Sequence, residues 1–453
     1  MARLRTTVEV IPSARRLIRS LRDLGYDFRH AVADLIDNCI AAGATAIAIH
    51  MRFDGKDSWL RVADNGTGMN GATITEAMRF GTERDYEDDE LGKFGLGLKT
   101  ASLSQCSRLT VASRIDRTAK RIEARQWDLS HVERTNRWEI IDVPADERPD
   151  ALVEPLGGST GTVVLWEQMD RVLGYKVPWG ERARSGFLTL ADELDQHLGM
   201  VFHRFLSGGA TSRRKLSITL NDTPIEAWDP FARDEKGTVK LPAKQFEVHG
   251  DDGPGLVAYM PYILPSQERF SSLKAFNRSA GPAKWNYQQG LYIYRADRMI
   301  QSGGWSYMRT SDEHTKLARV ALDFRPDLDS AFDLNVAKAR VNLPADLKTQ
   351  LKPVIEELVK QARRAYSHSS DSKSSAYGAA MDRSVGRNGE ASDARRFHSV
   401  AEPPGAAGRR TASLQIGRAI DEAASAAGVV PALRLIKKAL RLRDPQTATE
   451  IGW

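Results

Sequence analysis

The chain has 453 residues, too many for one ordinary core, so two or three domains are expected. Apolar content of 41% and charged content of 27% are those of a soluble globular protein, and no run reaches membrane-span length. Two cysteines exclude a disulfide framework or a zinc module, and a net charge of +6 permits nucleic acid without demanding it. The opening, MARLRTTVEVIPSARR, lacks a signal-like apolar core, so a cytoplasmic location with no membrane partner is expected.

The first informative stretch is FRHAVADLIDNCIAAG, Phe28 to Gly43. Val32, Leu35, Ile36, Cys39 and Ile40 recur at steps of three and four, which predicts a helix. Asp34 and Asn38 lie four apart and share a face. A carboxamide oxygen at Asn38 suits Mg²⁺, a hard cation that keeps several waters, and Asp34 could take a proton from an attacking water. The same pattern also fits an amphipathic helix with two polar residues at its rim.

Strands follow at Thr45 to Met51 and Trp59 to Ala63, and the second runs into Asp64-Asn65-Gly66-Thr67-Gly68-Met69. A carboxylate at a strand end can accept from the exocyclic amine of a flat base, while the glycines admit backbone close to the ring. A tight turn or a fragment of a calcium loop has the same spelling. After the acidic span Gly81 to Glu90 comes LGKFGLGLKTASLSQ, with Gly92, Gly95 and Gly97 before a helical stretch. Such a turn is either an anion cradle or a hinge. It is not a Walker A loop, since no G-K-[ST] closes it, and it does not follow a strand as a Rossmann fingerprint would.

In this order the three motifs resemble the nucleotide site of the GHKL ATPases, the superfamily of gyrase B, MutL, the large heat-shock chaperone, MORC proteins and histidine kinases. The resemblance implies an α/β sandwich with ATP and Mg²⁺ held beneath a mobile lid. Asn38 matches the Mg²⁺-binding asparagine, Asp64 the adenine-reading aspartate, and Gly66, Gly68 and Met69 the loop beside the base. Gly92, Phe94, Gly95, Leu96, Gly97 and Lys99 fall in the phosphate-wrapping lid, Phe80 to Thr100. Hydrolytic members carry Glu where this chain has Asp34, so slow turnover is expected. In GTVVLW, Thr162 matches a threonine that serves the water network around adenine; an ordinary strand residue is the alternative.

Beyond it a long helix (188–206) and strands near 215–220, 246–248, 255–262, 291–294 and 318–323 read as a separate α/β unit. Its texture, with YRADRMI at Tyr294 to Ile300, resembles the transducer domain of MutL-like and MORC-like ATPases, over residues 20–360 in all. The transducer's lysine, which reaches the γ-phosphate, maps to Lys338 in FDLNVAKARVNLP, with Arg340 as the near alternative. A helix, 345–365, closes the unit. The expected organisation is an ATP-binding domain at 1–155, a transducer-like domain at 156–366, a disordered linker at 367–412 and a helical segment at 413–453. In that last segment Arg434, Lys437, Lys438 and Arg441 line one side of a short helix that could dock on a protein partner.

The resemblance implies an ATP-dependent homodimeric clamp that acts on DNA through backbone contacts, with a basic loop at 212–215 as one candidate. With only two cysteines the chain resembles the shorter prokaryotic MORC-like ATPases, which stand in restriction or antiphage systems. A nucleotide-binding scaffold that hydrolyses little or nothing and regulates a partner enzyme is the alternative.

Overall fold

A computed structural model describes residues 10–23, 25–81, 97–116, 121–211, 215–251, 253–334 and 341–384, with side chains to residue 367, and Lys437. The chain divides into two compact units, Met1–Ala379 and Ala380–Trp453, and the fold below is that of the first.

Among the described residues the strands form two sheets. The first joins β1 (Ala46–Arg52), β2 (Trp59–Asp64), β3 (Arg108–Arg114), β4 (Glu123–Asp128), β5 (Ile141–Asp142), β6 (Gly161–Glu167), β7 (Ser217–Leu220) and β8 (Thr223–Pro224). Their order is β5-β4-β3-β6-β2-β1-β7-β8, antiparallel except where β7 runs parallel to β1. Over one face lie α1 (Ala14–Arg22), α2 (Phe28–Ala41), α4 (Gly97–Leu103), α7 (Glu181–Val201) and α8 (His203–Ser207). Helix α3 (Gly71–Ala77) follows the β2 loop, and α5 (Leu129–Thr135) and α6 (Asp150–Val153) follow β4 and β5.

The period-two alternation has the expected effect. In β6, Val164 and Trp166 enter the core under the helices, while Val163 and Leu165 enter a smaller core with Val143, Leu152 and Leu156. A strand buried on both faces reads as the continuous apolar run GTVVLW. Such a run does not reveal which sheet it joins; here β6 joins the first. The first sheet extends through Pro224, and both β6 and α7 pack within it.

The second sheet comprises β9 (Val239–Lys240), β10 (Lys244–Gly250), β11 (Gly253–Ile263), β12 (Gly290–Arg295), β13 (Arg298–Ser302) and β14 (Ala318–Phe324). Its order is β10-β11-β14-β12-β13, with β9 beside β11. Helices α9 (Leu273–Ser279) and α10 (Lys284–Gln288) precede β12. Helix α11 (Ala345–Ser384) packs Leu347, Leu351, Ile355, Leu358 and Ala362 into the core of this sheet. The linker expected from residue 367 therefore begins as helix, continuous to Ser384. Beyond it the linker and the C-terminal helices lie outside the described residues, apart from Lys437.

The two sheets meet through polar contacts. The His203 ring nitrogen Nε2 and the Tyr294 hydroxyl are 2.9 Å apart. Arg204 bonds Asp297 at 3.0 Å and pairs with Asp323. Arg204 also lies over the Tyr294 ring, 3.6 Å from its centroid.

Candidate nucleotide site

The site begins with α2. Asp27 caps it, accepting from the backbone N–H of Arg29 at 3.0 Å, which satisfies one of the orphan donors of the first turn. Val32, Leu35, Ile36 and Ile40 are buried, and so are the carboxylates Asp34 (3% exposed) and Asp37 (0%). One turn past Asp34, Asn38 is exposed. The helix thus presents an open carboxamide beside a sequestered carboxylate. Gly97, the first residue of α4, faces Asp34: a Cβ there would lie 3.8 Å from its Oδ2.

Asp64 ends β2 and accepts from the Gly66 N–H at 2.8 Å, closing an Asx turn. Burial raises its carboxyl above the usual range, while bonds from Gly66, the Cys39 thiol and the Thr162 backbone act the other way. Asn65 fixes the loop from behind, its Oδ1 accepting from Thr45 and Ala46 N–H groups at 2.9 Å. Gly68 has φ +70°, and a Cβ there would sit 2.2 Å from the Arg114 carbonyl oxygen, so no other residue fits without moving backbone.

Thr162 pairs directly opposite Asp64 across β2 and β6. Sequence reasoning missed what holds it. Buried Ser113 on β3 donates to the Gly161 carbonyl at 2.7 Å and accepts from Met69 N–H at 2.7 Å. Its Oγ also lies 3.0 Å from the Thr162 hydroxyl. One serine therefore ties the D-x-G-x-G-M loop to the G-T strand. A lone serine in an apolar strand was the available signal.

Lys99 is placed differently from a residue facing open solvent. It is 1% exposed and its Nζ donates to the Ala77 carbonyl at 3.0 Å, which joins α4 to the end of α3. Burial lowers its ammonium to about 8. Residues 78–96 connect these two helices, and the Lys99 bond ties one helix to the other. Phe80 is held nearby against Trp127 and Trp138, each with ring centroids 5.5 Å away. Gly92, Phe94, Gly95 and Leu96 lie outside the described residues, as do Lys338, Arg340 and Ser212 to Arg214.

Sequence reasoning also missed Asp37 and Arg298. Arg298 on β13 places Nε 2.9 Å from Asp37 Oδ1 and 2.8 Å from Oδ2, and Nη2 3.7 Å from Asp34 Oδ1.

No group of three or more His, Cys, Asp or Glu fit to cage a metal occurs among the described residues. One exposed amide oxygen at Asn38 instead fits Mg²⁺, which takes its remaining ligands from phosphates and water. The Asp64 carboxylate, an acceptor at the end of β2, fits the exocyclic amine of a flat base.

Comparison with known proteins agrees with this geometry. Residues 26–158 match the family of histidine kinase-, DNA gyrase B- and HSP90-like ATPases. The DNA mismatch repair protein MutL of Allorhizobium ampelinum is 24% identical over 375 residues, 79% of this chain and 52% of that protein. Protein MICRORCHIDIA 5 of Arabidopsis thaliana is 35% identical over 91 residues, 18% of this chain and 13% of its own length. MutL of Thermosipho africanus is 34% identical over 98 residues, 20% and 17% of the two chains. The chain spans about half the length of the first of these relatives.

Proposed function

We propose that this chain binds and slowly hydrolyses ATP, and that ATP drives it to dimerise as a clamp on DNA, because residues 26–158 match the family of histidine kinase-, DNA gyrase B- and HSP90-like ATPases. One observation carries the ATPase part: a buried carboxylate, Asp34, one turn from an exposed carboxamide, Asn38, on the helix beside the Asp64 loop. In this reading Asp64 accepts from the adenine amine, with Thr162 beside it. Asn38 would hold Mg²⁺, which would supply neutralisation of phosphate charge. Asp34 takes the proton of the attacking water. Lys338 is proposed to meet the γ-phosphate, with Gly92, Phe94, Gly95, Leu96 and Gly97 wrapping it, and Lys99 holding the ends of that wrap.

The clamp and its action on DNA are supported by the second sheet with its helices and by the mismatch-repair relatives. A role in restriction or antiphage defence rests on the resemblance to MORC-like proteins alone.

The test is titration of the full chain with ATP and Mg²⁺ beside the Asn38→Ala variant. The parent is expected to bind ATP and the variant to lose at least about tenfold in affinity, the loss that even an outer-shell partner of a metal ligand causes. Equal affinities would remove Asn38 from the site.

A further inference from the structure

We propose that Arg298 is a positioning residue for hydrolysis, through which the second sheet sets the rotation of α2 and the placement of the Asp34 carboxylate. This rests on the reading of Asp34 as the base. The geometry begins at the turn between β12 and β13, where Ala296 and Asp297 both have positive φ, +46° and +66°. That is the conformation of a tight two-residue hairpin. Asp297 anchors the tip. Its carboxylate accepts from the backbone N–H and the hydroxyl of Thr211, both at 2.8 Å, and from Arg204 at 3.0 Å. Arg298 follows immediately and is aimed at α2.

Arg298, Asp34 and Asp37 are 1%, 3% and 0% exposed, so water screens none of the three. The guanidinium grips Asp37 at 2.9 and 2.8 Å. Its Nη2 stands 3.7 Å from Asp34 Oδ1, within reach of charge but beyond a hydrogen bond. A planar fork can serve two carboxylates one turn apart; a lysine amine is a single point and cannot hold both in this way. A cavity of about 570 Å³ borders the same guanidinium, lined also by His30, His197 and Gln301. A shift of α2 on nucleotide binding and a shift of the β12–β13 hairpin would each move the other through this contact.

The experiment measures ATP affinity and turnover of the full chain as Arg298→Lys and as the double variant Arg298→Gln with Asp37→Asn, with Asp34→Asn beside them. The double variant replaces the ion pair by neutral groups, so that no unpaired charge is left at position 37 or 298. Both are expected to bind ATP within about threefold of the parent and to lose turnover, at least about tenfold in the double variant and less in Arg298→Lys. A double variant with the parent's turnover would overturn the positioning role, as would a loss of affinity equal to the loss of turnover. If Asp34→Asn itself turns over at the parent rate, the base assignment fails instead, which separates the two ideas.

Discussion

A single methylene decides much of the chemistry at Asp34. A general base must reach its water at about 2.6–3.2 Å, and an aspartate on a helix reaches less far than a glutamate. Asp34 is buried and within charge contact of Arg298, and Gly97 leaves its approach free of a side chain. Asp34→Asn keeps shape and removes basicity. It is expected to abolish turnover, measured as phosphate release, and to leave ATP affinity within about threefold, since the lost interaction forms chiefly during reaction. At Gly68 the constraint is backbone. Gly68→Ala forces a Cβ to 2.2 Å from a carbonyl at a φ of +70°, so the loop must shift. A fall of several degrees in melting temperature with loss of ATP binding is expected; an unchanged affinity would place the base elsewhere.

Two histidines make the paired helices α7 and α8 sensitive to acid. Burial lowers His197 to about 3, with the neighbouring His30 and Arg298 acting the same way, and burial lowers His203 to about 3 as well. Above pH about 6.5 both rings are neutral, folded or unfolded. Between 6.5 and 3 the unfolded chain takes up protons that the folded chain refuses, so stability falls as pH falls, by about 1.4 kcal/mol per pH unit per ring. Melting temperature is expected to decline from pH 6.5 to 5. His197→Gln, which removes one titrating ring, should flatten that decline in a pH series of thermal melts. A decline of unchanged slope would mean that His197 is already charged in the folded chain.

For the whole molecule, the clamp reading makes oligomeric state depend on nucleotide. Sedimentation is expected to show a monomer without nucleotide and a dimer with a non-hydrolysable ATP analogue; one unchanged mass would sink the clamp. DNA binding is expected to be sequence-tolerant and to weaken steeply with salt, because a net charge of +6 offers backbone contacts. Equal affinity at low and high salt would argue against phosphate contacts as its source.

What the sequence by itself determined is local. The 3.6-residue period placed α2, and two short alternating runs placed β1 and β2, because each pattern is written within one element. The D-N-G-T-G-M turn was legible for the same reason: Asp64 caps Gly66 two residues on, and Gly68 needs a φ that only its own backbone decides. Tertiary structure alone decided the rest. Ser113 joins Met69 to the Gly161–Thr162 strand start, and a lone serine in an apolar strand does not say which stretches it will tie together. The sheet claims β6 and β7 because their apolar faces find partners in β1, β2 and β3, not because of a pattern at residue 155. Asp37 is buried because Arg298, 261 positions away, supplies the charge that makes its burial tolerable. An isolated carboxylate is too costly to bury, so its partner is fixed by the fold, and only the fold reveals it.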